Sequence, residues 1–300
     1  MSNHGKKKNN YFFCARVFCA AALASCTPNF ASSSEVTDLR VLAVQAEPPE
    51  AQSDAQGNVQ DVHLRILAVD PARGGFSFMT ASLCAPTDSR RCESGPRFDL
   101  PRTPRDTDTG FKASVPGALI APVIAFARSN DKLKDLNGIR IMFALTVEDG
   151  DPNGPVAADK ILVYSKAGTT PNHNPQMTGL ALTIDGAPAG LAAPDQTLQL
   201  RIGVTYGIRP LLADGAREEY DTIDLRGQRV HLREVPAYVF FTTPGAGFDR
   251  DTADEPVDGV APPDGLVRLA ASRAGSGMIW VVIRDGRGGE SWLPIPWTAR

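Results

Sequence analysis

Nowhere in the 300 residues does an uninterrupted apolar run approach the roughly twenty that a helix needs to cross a bilayer, which excludes a permanent helical span. Basic residues do not dominate either. Lys and Arg total 31 against 34 Asp and Glu, for a net charge of −3, and no basic stripe of the kind that displaces counterions from nucleic acid follows the leader. Histidine is scarce at four. A Walker loop, a dinucleotide fingerprint, zinc-ligand spacing and the G-x-S-x-G elbow are all missing, so none of those chemistries is legible. Gly275-Ser276-Gly277 lacks the elbow pattern and reads as a turn before the Met278 strand. His63, His173 and His231 lie far apart in sequence, the first and last on strand-like alternation. A triad assembled in three dimensions needs no fixed spacing, so a dispersed hydrolase site stays open as a minor reading.

What is present begins at the N-terminus. Lys6-Lys7-Lys8 precede an apolar segment from Tyr11 to Leu23, broken by Arg16, and Leu23-Ala24-Ser25-Cys26 closes it. A cationic start, a short apolar core and small residues before a cut are the physical parts of an export signal. LASC resembles the lipobox of bacterial lipoproteins, which implies cleavage before Cys26 and acylation of that cysteine. Several acyl chains, at about 0.8 kcal/mol per buried methylene, hold a protein on its membrane. Thr27 after the cysteine is compatible with outer-membrane sorting, facing the periplasm or the surface. Removing residues 1–25 takes away four of the 31 basic residues and no acids, leaving 27 against 34. Cys14 and Cys19 leave with the leader and Cys26 is spent on lipid, so Cys84 and Cys92 remain as a pair. In an oxidising compartment a disulfide is its default state.

Downstream, short apolar runs alternate with turn-forming clusters. Candidate strands are Leu39 to Ala46, Val62 to Val69, Phe76 to Leu83, Ile139 to Val147 and Lys160 to Tyr164. After the bridge Gly168 to Pro175 come Met177 to Ile184, Leu198 to Tyr206, Val230 to Leu232, Tyr238 to Phe241, Leu266 to Ala271 and Met278 to Ile283. With 27 Gly and 24 Pro, this rhythm predicts an all-β chain of antiparallel β-sandwiches. Leu119 to Leu136 dissents, its apolar residues fitting helical spacing, with Ser129 a possible N-cap, Gly138 a stop and Pro122 allowed only in a first turn. The organisation expected is a signal peptide over 1–25, an anchor and polar tether over 26–37, a first domain over 38–167 with a short helical insertion, a linker over 168–176 and a second domain over 177–300. The firmest element is a closing hairpin, Met278 to Ile283 and Ser291 to Ile295, around a glycine-bearing turn that puts Arg287 at a solvent-facing tip. Trp280 and Trp292 read as core or cross-strand aromatics, with a ligand-binding pair as the alternative.

LRVLAVQAEPPEA, LRILAVDPARGG, FSFMTASLC, the bridge NHNPQMTGLALTIDG and the ending MIWVVIRDGRGGESWLPIPW together resemble a group of lipoproteins common in myxobacteria and related delta-proteobacteria. The resemblance implies a lipid-anchored exported protein with two tandem immunoglobulin-like domains and no assigned activity. The chain departs from it in carrying Ala51-Gln52-Ser53-Asp54 where a proline-glycine turn is expected.

Two acidic clusters are candidate cation sites. Asp149-Gly150-Asp151-Pro152-Asn153-Gly154 matches the first half of a calcium loop, but its twelfth position is Lys160 and not Glu, which favours a plain turn. Asp249, Asp251 and Asp254, with Glu255 and Asp258, lie in a long loop where calcium is the only cofactor to consider. The function expected is therefore a structural or protein-interaction module of the cell envelope, bound to membrane through its lipid and to an unidentified protein, without catalysis or nucleic acid. A carbohydrate- or calcium-dependent binding protein using sandwich end loops is the alternative.

Overall fold

The computed structural model describes residues 33–300, apart from position 55 and segments 73–77, 87–90, 93–94, 106–109, 133–135, 137, 149–153, 166–169 and 255–265. The candidate calcium-loop residues 149–153 and the leader with Cys26 lie outside the described residues. The described chain is all-β with one helix, arranged as two immunoglobulin-like sandwiches.

In the first sandwich β1 (Arg40–Glu47), β3 (Val62–Val69) and β7 (Gly110–Val115) form one antiparallel sheet. It faces a sheet of order β2 (Glu50–Ala51), β9 (Val156–Tyr164), β8 (Ile139–Glu148), β4 (Phe78–Cys84) and β5 (Arg97–Asp99), with β6 (Thr103–Pro104) also on β4. In immunoglobulin lettering these sheets are A-B-E and G-F-C. The second sandwich repeats the plan. One sheet runs β11 (Ala187–Ala192), β10 (Met177–Ile184), β13 (Thr205–Leu212), β19 (Val267–Ala271), β17 (Ala246–Phe248). The other runs β12 (Leu198–Leu200), β21 (Glu290–Ala299), β20 (Gly275–Arg284), β16 (Ala237–Thr242), β18 (Thr252–Asp254). In both halves a short early strand pairs in parallel with the last one, β2 with β9 and β12 with β21.

Alternation along the strands fills the two cores. Leu64, Ile66 and Phe111 meet Leu83, Ile141 and Phe143 in the first; Leu182, Ile208, Tyr238, Phe240, Ile279 and Trp297 make the second. The closing hairpin has the expected form, β20 pairing with β21 from Gly275 opposite Ala299 to Arg284 opposite Glu290. Gly275-Ser276-Gly277 is the start of β20 and not a preceding turn. A side chain at Gly277 would place its Cβ 1.9 Å from the Thr243 hydroxyl and 2.8 Å from the Trp297 ring, so only glycine lets these strands meet.

Helix α1 (Gly117–Ser129) joins β7 to β8 and buries Ile120, Val123 and Ile124, one face of a helical period, in the first core. Its limits correct the sequence expectation. Ser129 is its last residue and not its N-cap; the first helical N–H, of Gly117, is capped from afar by the Asp61 carboxylate at 2.8 Å. Pro122 is the sixth residue, beyond the first turn. It is tolerated because Pro122 and Ala118, whose carbonyl loses its partner, both lie on the exposed side, where water can bond that oxygen.

Part of the expected tether is docked instead. The Thr242 N–H donates to the Ser34 carbonyl and the Val36 N–H to the Thr242 carbonyl, both at 2.8 Å, so the segment entering the first sandwich lies along the edge of the second. The sandwiches also share a third apolar cluster: Val36, Leu42, Ala43, Leu67 and Val69 from one side, Trp280 and Val282 from the other, with Val239, Phe241, Met278 and Trp292 packed against it. Strand β20 is thus buried on both faces, which is why Met278 to Ile283 is unbroken apolar sequence. Trp280 is a core residue, 4% exposed, whereas Trp292 is half-buried under the Arg65 guanidinium, 5.1 Å from its ring.

The disulfide joins Cys84, the buried last residue of β4, to Cys92, with Cα atoms 5.6 Å apart. Where the proline-glycine turn is missing, the Asp54 carboxylate accepts the N–H groups of Gln56 and Asn58 and closes the turn itself. Two outcomes follow for denaturant unfolding. Cys92→Ala lowers stability by ~2–3 kcal/mol through the freed loop, and Trp280→Ala lowers it by ~3–5 kcal/mol by opening a cavity between the sandwiches.

Candidate functional site

The β20–β21 turn begins with Asp285, whose Oδ1 accepts the N–H groups of Arg287, Gly288 and Gly289 at 2.7, 3.0 and 2.9 Å. Gly286 and Gly288 take positive φ, 83° and 114°, and curl the turn around that carboxylate. The curl carries Arg287 inward. Its side chain is only 11% exposed, the reverse of the solvent-facing tip expected from sequence. Nη2 reaches Glu50 of β2 and the Thr170 carbonyl, each at 3.2 Å, and Nη1 reaches Glu218 and Glu234, each at 3.3 Å. The guanidinium also lies over the Tyr220 ring, 4.2 Å from its centroid.

Glu218 and Glu234 flank a two-stranded arm, β14 (Glu219–Ile223) and β15 (Arg229–Arg233), which pairs with no other strand among the described residues. They tie its root together: the Glu218 N–H donates to Glu234 Oε2 at 3.0 Å and the Glu234 N–H to the Glu218 carbonyl at 2.9 Å. The inter-sandwich bridge completes the cluster. Asn172 donates to Asp285 at 2.9 Å, the His173 ring bonds Glu218 at 2.5 Å, and Asn174 donates to the Ala46 carbonyl and Glu47 at 2.8 Å. Asn174 in turn accepts the Glu290 N–H at 2.9 Å. Glu290 opens a second layer, its Oε2 bonding Lys160 at 3.1 Å and the Val44 N–H at 3.2 Å while Arg284 takes Oε1. Lys160, read in sequence only as a failed calcium ligand, is therefore a buried half of an ion pair between the sandwiches.

Charge here is unbalanced. Three carboxylates, of Glu50, Glu218 and Glu234, bond the Arg287 guanidinium, Asp285 holds the same turn through its backbone, and Arg217 donates to the Glu234 carbonyl. Burial pushes Glu234 up to about 7, with the charges of Asp285 and Glu218 adding to the shift and the Glu218 N–H and Arg287 opposing it. Burial also raises Asp285 despite its four hydrogen bonds, and raises the Tyr220 hydroxyl. Beside the cluster a cleft of about 370 Å³ opens between β1, β9 and the turn, and of its charged wall groups Lys160, Arg284 and Glu290 are committed to one another while Asp159 is exposed.

The acidic loop behaves differently. Asp249 accepts the Arg268 N–H at 2.8 Å, Asp251 accepts the Ser33 hydroxyl at 2.5 Å, and Asp254 lies on β18 opposite Ala237. The structure does not gather these three into a ligand set, and no cluster of three or more metal-binding side chains occurs among the described residues. Glu255 and Asp258 lie outside them. His63 is exposed on β3 and His231 sits on β15 between Asp221 and Glu219, which raise its pKa. No histidine signal in the sequence pointed to His173 as a partner of Glu218, 45 positions away.

No family model and no curated protein matches the chain. Among solved structures it is similar to red sea bream transglutaminase, at 12% identity and a TM-score of 0.27 over 89% of this chain and 32% of that one. It is also similar to the Ig1-2 module of the Drosophila receptor protein tyrosine phosphatase DLAR, at 11% identity and a TM-score of 0.25 over 88% and 99% of the two chains. A bacterial ice-binding adhesin gives 11% identity and a TM-score of 0.26 over 88% and 98%. The chain spans about a third of the transglutaminase. At these scores the likeness adds nothing to what strand order already establishes.

Replacing Arg287 by Met leaves Glu50, Glu218 and Glu234 buried without their cation. Urea unfolding is expected to show a loss of ~3–5 kcal/mol, the cost of breaking a buried charge cluster from one side.

Proposed function

We propose that this protein is a lipid-anchored module of the bacterial cell envelope, held at the outer membrane through Cys26, with a structural or protein-interaction role and no catalysis of its own. The observation that carries the reading is the clasp around Arg287, which joins β2 of the first sandwich to the turn and arm of the second. Two domains fixed in this way present one continuous surface to a partner, where a flexible pair would present two. The cluster's charged side chains are engaged with one another, as expected of a structural joint. The lipobox at Leu23 to Cys26 and the similarity to delta-proteobacterial lipoproteins support the address.

Ser33 is hydrogen-bonded to Asp251 and to Arg40, so six residues, 27–32, separate an acylated Cys26 from the folded body. Fully extended, they reach about 20 Å.

The test is intact mass and membrane fractionation from the native host, comparing the wild type with Cys26→Ala. An acylated form beginning at Cys26 in the outer-membrane fraction, released in the variant, is the expected result. An unmodified soluble wild type would overturn the assignment.

A further inference from the structure

Large apolar side chains left open to solvent are few on this protein, and they are not scattered. Of the six among the described residues, Leu191, Ile202, Ile223, Leu225, Leu232 and Val235, four fall between positions 223 and 235, on the arm β14–β15 or just beyond it. Leu225, between the two strands, is the most open at 88%. A lone exposed leucine needs no explanation, whereas a concentration of them on one hairpin marks a contact surface.

The turn that presents Leu225 is well defined. The Asp224 N–H donates to the Gln228 carbonyl and the Gly227 N–H to the Asp224 carbonyl, each at 2.9 Å, with Gly227 at a φ of 78°. Asp224 spends its carboxylate on the same turn, Oδ1 accepting the N–H groups of Arg226 and Gln228 at 2.9 and 2.8 Å. It is half-buried there, while Leu225, Arg226, Gln228 and Arg229 are exposed. Arg229 pairs with Asp221 at 2.7 Å and still keeps its side chain 78% exposed. The charge that residues 224–228 turn outward is therefore the Arg226 guanidinium, on a chain whose acids outnumber its bases, 34 against 31. The carboxylates of Glu218 and Glu234 lie at the other end of the arm, against Arg287.

An apical leucine with a guanidinium beside it suits a lipid surface better than a protein. A stable protein interface takes about 20–30 residues a side, far more than this tip offers. A bilayer surface asks for less: an apolar side chain that enters the acyl boundary, and a cation whose stem follows it while the head stays with the phosphates. Anionic headgroups attract that cation in addition.

We propose that the tip of the arm is a membrane-contact element, with Leu225 entering the headgroup region of an anionic phospholipid surface, Ile223 behind it, and Arg226 and Arg229 meeting the phosphates. The proposal rests on the envelope reading above for the presence of a membrane, and on the arm alone for the contact. One leucine and two arginines give a weak and reversible attachment, less than stable anchoring takes.

The experiment uses the chain from position 26 to 300 with Cys26→Ala, which carries no acyl group, so its outcome is separate from whether Cys26 is lipidated in the host. Gln228→Cys carries a nitrobenzoxadiazole label, whose emission reports the polarity around it, and the same label at Ser114→Cys on the first sandwich is the control. Titration with phosphatidylethanolamine–phosphatidylglycerol vesicles is expected to brighten the label at position 228 and shift it to the blue, and to leave the one at position 114 unchanged. Added salt and pure phosphatidylcholine vesicles weaken the response. Leu225→Asp, a change at a solvated site that leaves the melting temperature at the wild-type value, lowers the apparent partition coefficient by about tenfold. A label at position 228 that the vesicles leave unchanged, or an equal response with Leu225→Asp in place, overturns the proposal. So does a tip that ignores the vesicles and crosslinks instead to an envelope protein.

Discussion

A guanidinium cannot be withdrawn from water without partners, and Arg287 finds its partners on three separate stretches of chain. Glu50, Glu218 and Glu234 lie 237, 69 and 53 positions away, and no single sandwich supplies all of them. The turn that delivers the arginine is held by Asp285, which Asn172 of the bridge holds in turn. Folding of the second hairpin, docking of the arm and placement of the first sandwich are therefore one event at this point. A buried ion cluster contributes little net stability over an apolar core of equal volume, but breaking it from one side is expensive. Its effect is to define a single relative placement of the elements it joins.

The apolar interface works with that constraint. Trp280 and Val282 point away from the second core into the cluster shared with Leu42, Leu67 and Val69. Hydrophobic burial of this kind is strong and non-directional. The glutamates and asparagines around Arg287 supply the direction. Asn174 bonds the Ala46 carbonyl of the first sandwich and the Glu290 N–H of the second, so the bridge is a structural part of both and more than a connection. The docked segment Ser34 to Val36 closes the arrangement from the N-terminal side.

Where one face of a strand is wet, the sequence was an accurate guide. Val62–Val69 and Met177–Ile184 are strands with the bounds their composition indicates. Elements whose stability comes from elsewhere were hidden. Ala187–Ala192 is almost wholly exposed and has no β-branched or aromatic residue, and β14 is short and charged, so neither stood out, whereas its partner β15 was indicated at Val230 to Leu232. The helix was visible in its spacing, but its start was not, because Asp61 caps it from 56 positions away. The site was the least legible part. A glycine-rich turn carrying an arginine has the same local pattern whether its tip is wet or buried, and the three glutamates that decide between them carry no shared motif. Likewise Lys160 and Glu290 are 130 positions apart and only the folded sheets bring them together.

Scanning calorimetry of the wild-type protein tests the central claim most directly, because it asks whether the two sandwiches unfold as one. The account predicts a single endotherm whose calorimetric and van't Hoff enthalpies agree, their ratio being about 1. Two resolved transitions, each with the enthalpy of one sandwich, would contradict it and reduce the Arg287 cluster to a surface contact between independent domains.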